Sequence, residues 1–422
     1  MKTALAAMLV AAASPAFAAP PLPPVAPEKA GFSKEGLARI DAFFAREIEA
    51  NRVPGAVVAV ARDGKLVHYK AYGYLDKGAG TPMPLDAIFN LASMTKVMAY
   101  AGGLVLNEQG RLPLKSRLDQ YLPEFKDQKV GVVAGEEVKL EPAKNPVYIH
   151  DLYRHTSGIT YGGRGSTAVH KLYPAGSAPA ASQYTSEEFI AKLASLPLLH
   201  QPGTVWDYGF STDVLGLVVE KVSGKPLGGF LREAVWDKVG MPDTTFEVPA
   251  DKQKRLARPL PKDPITGKDQ RILALEKPLR FHCGGSCAFS TVGDYLRFAQ
   301  MLLDGGAIGG KRVLSPKTVQ AMTSDHLGPN IRNQVAGVEA HRDGYGFGLG
   351  VAVRMHDGVA ATPGTKGDYT WNGANGTLFW NDPVERLTVV VGTAAPGEIR
   401  KYYREQMGAL VYGALTVSRR AP

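Results

Sequence analysis

The chain has 422 residues, 45% of them hydrophobic and 21% charged, with a formal net charge of +9. This is the composition of an ordinary globular protein with enough length for a large buried core, which excludes a disordered or fibrous chain. Lys and Arg are scattered, with no basic stripe carrying interleaved aromatics, so no nucleic-acid partner is expected and the charge reads as solvated surface.

Met1-Lys2-Thr3 is a short basic start, and Ala4 to Ala13 is an apolar run too short to span a bilayer. Ala16-Phe17-Ala18 follows with the small-x-small pattern of a signal peptidase site. Together they read as a removable secretory signal over residues 1–18, with Ala19 as the new N-terminus. No later apolar stretch is long enough to span, so the mature chain is expected in the periplasm or outside the cell, without stable membrane insertion. Cys283 and Cys287 are the only cysteines. An oxidising compartment would let them pair, but spacing alone leaves open whether the loop permits it. His282 is their one neighbouring metal-ligand type, so no metal site is expected.

Lys34 to Asn51 carries Leu37, Ile40, Phe43, Phe44 and Ile48 at helical spacing. Val57–Ala61 and Leu66–Tyr69 flank Asp63-Gly64, the pattern of a β-hairpin. Ala92 to Gln109 reads as a helix stopped by Gly110. Helical stretches such as Ser186–Leu196 and Asp213–Val222 then alternate with loops rich in Gly, Pro and Ser. Ser290 to Asp304 is another predicted helix. Gly376–Trp380 and Leu387–Thr393 read as strands, with Asn381-Asp382-Pro383 as the turn between them. A last helix is predicted from about Ile399 to Leu415. Strands near both ends and helices in the middle predict an α+β fold. One antiparallel sheet is built from both chain ends (about 19–118 and 285–422), with a mainly helical lobe at about 119–284 and a site between them.

Ser93-Met94-Thr95-Lys96 is the one Ser-x-x-Lys in the chain, near the start of a predicted helix. Three residues apart on a helix, Ser93 and Lys96 share a face. A serine hydroxyl attacks well only when a base takes its proton, and Lys96 is placed to be that base. Chance alone supplies roughly one such motif in a chain of this length and composition, so its neighbours decide its meaning. The esterase elbow Gly-x-Ser-x-Gly is absent, since Ser286 in Gly284-Gly285-Ser286-Cys287-Ala288 lacks the second glycine.

Phe89-Asn90-Leu91-Ala92-Ser93-Met94-Thr95-Lys96 resembles the nucleophile segment of the superfamily of serine β-lactamases, penicillin-binding proteins and family VIII carboxylesterases. So do three further segments in the same order: Leu118–Phe125, Ile149–Gly158 and Ser290–Phe298. The resemblance covers nearly the whole mature chain and implies a class C-like fold and an acyl-enzyme on Ser93. It aligns Tyr208 of Trp206-Asp207-Tyr208-Gly209-Phe210 with the family's second catalytic group, a tyrosine that shuttles protons. Phe210 then stands where the family's Tyr-x-Asn motif has Asn, at a substrate-binding position. The third motif, Lys-Thr-Gly, aligns with Trp371-Asn372-Gly373. Trp371 would replace a carboxylate-binding pair with an aromatic wall suited to a neutral ester, with Asn372 beside it. Gly373 would let substrate approach the strand closely. The amides of Ser93 and Ala374 would form the oxyanion hole. Lys366 is an alternative cation, and Gly284-Gly285-Ser286 a glycine-rich loop near the site.

The resemblance implies a carboxylesterase acting on a small-molecule ester without metal or organic cofactor. The alternatives are a β-lactamase or D-Ala-D-Ala carboxypeptidase, an acyltransferase, and a non-catalytic envelope binding protein of the same fold.

Overall fold

The computed structural model describes residues 20–134 and 137–419. The leader and its cleavage point at Ala18-Ala19 lie outside them. The central hairpin forms where the sequence places it: strands Gly55–Arg62 and Lys65–Asp76 turn through Asp63 and Gly64, whose φ of 54° and 69° are those of a type I′ turn. Next to Gly55–Arg62 runs Leu387–Thr393, antiparallel, with Ala59 opposite Val390. The sheet continues through Leu378–Asp382, Tyr369–Asn372, Ala352–Arg354 and Tyr345–Phe347, and on the other side ends at Thr81–Pro82. Eight antiparallel strands from the two chain ends therefore make one sheet.

Gly55–Arg62 is buried at every position because both faces of the sheet are covered. Side chains alternate between the faces. Ala56, Val58 and Val60, with Val389 and Val391, pack against the helices Lys34–Glu49 and Ile399–Tyr412. Val57, Ala59 and Ala61, with Val390, face the larger core, which includes the helices Thr95–Glu108 and Val292–Leu303. Every residue from Thr95 to Leu106 is buried, so that helix is the axis on which the helical region is hung. Against it packs Ser211–Ser223, closed by Gly224 at φ 73°.

Three local expectations change. The predicted helix from Ala92 begins as a 3₁₀ turn, Ala92–Met94, and becomes α-helical at Thr95. Asn381 and Asp382 are not turn residues: both pair in the strand, opposite Thr388 and Leu387. The turn lies at 383–386, because the Asp382 carboxylate accepts the Val384 and Glu385 amides at 3.0 Å each and so starts the reversal after the strand has ended. A hairpin, Lys129–Ala134 with Glu137–Pro142, stands in the middle of the chain, where the sequence suggested only helices and loops. No helix among the described residues is long and apolar enough to cross a membrane.

Candidate active site

A cavity of about 490 Å³ lies between the sheet, at the end of strand Tyr369–Asn372, and the helical region. Ser93 stands in its wall, half-buried on the 3₁₀ turn. The residue before it, Ala92, has a φ of 44°, a conformation that costs a non-glycine residue on the order of 1–3 kcal/mol. The surroundings hold it there. Asn90 Oδ1 accepts the Ala92 amide at 3.2 Å and is itself held by Asn375 Nδ2 at 2.6 Å. The Leu91 carbonyl accepts the Thr377 hydroxyl at 2.9 Å, and the Met94 carbonyl accepts that of Tyr295 at 3.1 Å. The turn that carries Ser93 is thus clamped by the loop after strand Tyr369–Asn372 and by the helix Val292–Leu303.

Lys96, one turn on, is buried beneath it. Its ammonium donates to the Gly285 carbonyl at 2.5 Å and to the Tyr161 hydroxyl at 3.2 Å. Tyr161 lies 3.3 Å from Asp213 Oδ2 and 2.7 Å from Ser177 Oγ, which donates to the same carboxylate oxygen at 2.8 Å. The other oxygen of Asp213 accepts the Gly285 amide at 2.9 Å. The loop that receives Lys96 is therefore held by the carboxylate that opposes its charge. Burial pushes the Asp213 carboxyl up, while Lys96 and these hydrogen bonds pull it back. Burial, then the Asp213 charge, raises Tyr161 well above the ordinary phenol range and keeps it neutral. A Cβ on Gly285 would sit 2.3 Å from Ser177 Oγ and 2.4 Å from Asp213, so only glycine lets the loop approach this closely. Cys283 and Cys287 flank that loop and are disulfide-bonded, with Cα atoms 5.4 Å apart.

Tyr208 reaches the cavity from the other side. The Lys96 ammonium lies 4.7 Å from its ring centroid, and its hydroxyl has no hydrogen-bond partner among the described residues. Its ring packs against His155 at 4.9 Å and Trp371 at 5.3 Å. Burial, then the Lys96 charge, holds His155 far below the ordinary imidazole range, so it packs there as a neutral ring, 3.0 Å from the Tyr100 hydroxyl. Neither Lys96 nor Tyr208 is hydrogen-bonded to Ser93, a contact that in hydrolases often tightens only with substrate bound.

The end of strand Tyr369–Asn372, beyond its pairing with Ala352–Arg354, supplies the opposite wall. Trp371, Asn372 and Ala374 line the cavity. The Ala374 amide carries no intramolecular hydrogen bond among the described residues. Two expected substrate contacts move. Phe210 is fully buried, 4.4 Å from the Tyr161 ring and 5.2 Å from Phe189, and does not line the cavity: it packs behind Tyr161. Gly373 admits protein rather than substrate, since a Cβ there would meet the Leu91 carbonyl at 2.2 Å and Thr377 Oγ1 at 2.1 Å. Its glycine lets the strand and the nucleophile turn touch. Lys366 is an exposed loop residue away from the cavity.

Several residues of the site were not singled out in the sequence. Asp213 lies three residues after Phe210, and a charged residue directly before the apolar run Val214–Val219 was its signal. Tyr161 and Ser177 carry no motif. Nor do Glu339, Arg342 and Arg404, which meet around Trp371, Asn372 and Gly373. Glu339 accepts from Asn372 and Arg404, and Arg404 also donates to the Gly373 carbonyl. Burial pushes the Arg404 guanidinium down to about 9. Arg342 lies 4.2 Å over the Trp371 ring, so that face of the indole is not a bare apolar wall.

Fold and site together define a serine hydrolase of the β-lactamase type. The chain belongs to the Beta-lactamase family, whose model matches residues 40–410. It is 35% identical over 357 residues to protein Rv1367c of Mycobacterium tuberculosis, covering 82% of this chain and 87% of that one. It is 30% identical to esterase EstB of Burkholderia gladioli, covering 84% and 90%. Among solved structures, EstCE1, described as a hydrolase with promiscuous acyltransferase activity, superposes with a TM-score of 0.73 at 26% identity, covering 90% of this chain and 99% of that one.

Proposed function

We propose that the protein hydrolyses carboxylic esters of small molecules through an acyl-enzyme on Ser93. The observation that carries this reading is the convergence on one cavity of Ser93 on its clamped turn, Tyr208 beside the buried Lys96 and the unpaired Ala374 amide. The esterases among its relatives support it. Ser93 Oγ attacks the ester carbonyl carbon, and its proton passes to the Lys96–Tyr208 pair acting as general base. The tetrahedral oxyanion is held by the Ser93 and Ala374 amides, each such donor contributing about 3 kcal/mol. The carbon–oxygen bond to the alcohol breaks and the same pair returns the proton to that oxygen. Water, deprotonated by that pair, then releases the acid and restores Ser93. Tyr161 and Asp213 touch neither reacting atom and act as positioning residues for Lys96. No step draws on a metal or organic cofactor.

Export to the periplasm or beyond is part of the same proposal, supported by the N-terminal sequence and by the Cys283–Cys287 bond.

The test is kcat/KM of the mature protein on p-nitrophenyl butyrate beside a chromogenic cephalosporin. A preference for the ester is expected, and a preference for the cephalosporin overturns the esterase assignment in favour of a β-lactamase. Ser93→Ala should lower ester turnover by about 10⁴-fold or more. An undiminished rate would remove the Ser93 mechanism.

A further inference from the structure

The cavity is ringed by five arginines, Arg164, Arg271, Arg342, Arg400 and Arg404, against one carboxylate, Glu339. Three of the five are already engaged. Arg404 is bonded to Glu339 and Gly373, Arg271 to Glu276, and Arg400 to the Pro396 and Gly397 carbonyls. Arg164 is exposed, and solvent serves it. Arg342 differs from all of them. It is 1% exposed, and none of its three guanidinium nitrogens has a hydrogen-bond partner among the described residues. Glu339, three residues before it, is taken up by Arg404, Asn372 and His341. What touches the Arg342 cation is the Trp371 face.

A buried guanidinium without partners is strongly unfavourable, and contact with one indole face only partly offsets that. Burial lowers Arg342 to about 10, so the group still carries its charge at neutral pH. A planar fork of five N–H donors at the cavity wall, charged and unsatisfied, is complementary to an oxyanion bound bidentately, and the oxyanion that a carboxylic ester most simply carries is a second carboxylate.

We propose that Arg342 recognises a carboxylate borne by the substrate, so that the preferred ester is an anionic one, such as the half-ester of a dicarboxylic acid. The inference rests on the esterase reading above and deepens it. As substrate enters, its carboxylate draws the guanidinium from the Trp371 face into the cavity, and the indole is left to pack on the chain between carboxylate and ester. This revises what the sequence implied for Trp371. The aromatic wall is there, but a cation from a distant loop restores the anion recognition that the missing Lys-Thr pair appeared to remove.

The experiment compares two matched pairs of esters on the wild type and on Arg342→Met. The first pair is 4-nitrophenyl hydrogen glutarate against its neutral 4-nitrophenyl methyl glutarate counterpart. The second is 3-carboxy-4-nitrophenyl butyrate against 4-nitrophenyl butyrate. The wild type should favour the charged member of one pair, and Arg342→Met should cut that ratio of kcat/KM at least tenfold. The pair that responds tells whether the carboxylate sits on the acid or the alcohol. Ratios within twofold of the wild type in both pairs overturn the inference. Free glutarate should also raise the melting temperature of Ser93→Ala but not of Ser93→Ala combined with Arg342→Met. That readout needs no turnover, so it separates a failure of the Arg342 assignment from a failure of the esterase reading. Should Arg342→Met not fold, Arg342→Gln serves both measurements.

Discussion

The two walls of the cavity solve opposite problems. On the helical side, Lys96, Tyr161, Ser177, Asp213 and the Gly285 backbone satisfy one another in a closed network. On the sheet side, Arg342 has no polar partner, and Asn372 Oδ1 and Arg404 Nε are also unpaired among the described residues. A saturated network is rigid and fixes where a proton can go. An unsaturated one keeps part of its hydrogen-bonding capacity for what enters. The contrast separates a wall whose hydrogen bonds hold Lys96 in place from a wall that keeps donors and acceptors free for what enters.

Joining the two walls at the nucleophile is the aim of the first prediction. Gly373→Ala pushes a Cβ against the Leu91 carbonyl, 2.2 Å away, and shifts the turn that holds Ser93. Misplacing a nucleophile by about 1 Å costs roughly 10²-fold, so kcat should fall by about that factor while the protein stays folded. A kcat within threefold of the wild type, with an unchanged melting curve, would show that the sheet does not position Ser93.

A smaller effect is expected within the saturated wall. Asp213→Asn keeps an acceptor but removes the buried charge facing Lys96. Turnover of p-nitrophenyl butyrate should drop about tenfold with little change in KM, because Asp213 touches no substrate. A purely structural role would lower stability and leave kcat of the folded protein within twofold of the wild type.

The third prediction concerns stability beside the unsaturated wall. Burial, then the charges of Arg342 and Arg354, lowers His341 from 6.5 to about 3. The folded protein therefore binds fewer protons there than the unfolded chain between pH 6.5 and 3. Stability from this group is present above pH 6.5 and falls as the pH drops through that window. From pH 6.5 to 5.5 the loss is about 1 kcal/mol, the linkage expected for one such histidine. Denaturant titrations of His341→Gln at the two pH values should show a pH dependence shallower by that amount. An equal slope in both proteins would mean that His341 titrates normally.

Much of the fold was legible because its signals are local. Asp63-Gly64 fixed the central hairpin by turn chemistry, and the stripe from Leu37 to Ile48 fixed a helix by period. Asn381-Asp382-Pro383 misled because Pro and Asp mark a reversal without saying on which side of it the strand ends. The middle hairpin at 129–142 was missed because its residues include the exposed Val132, Val133 and Leu140, with no clean alternation. In the site, Ser93, Lys96 and Tyr208 stood out because motif spacing binds them to recognisable neighbours. Phe210 and Gly373 were given to the substrate because a motif records which residues lie near a site, not which way they face.

By itself, the sequence determined the strand-forming ends, the helical middle and the segment bearing Ser93 and Lys96, all of which depend on residues a few positions apart. Tertiary structure alone decided that Asp213 faces Lys96 through Tyr161, that Leu91 rests on Gly373, and that Arg342 lies without a partner on Trp371. Those relations join residues tens to hundreds of positions apart. Their energies come from burial and from what is left unpaired there, and neither exists until the chain has closed around the cavity.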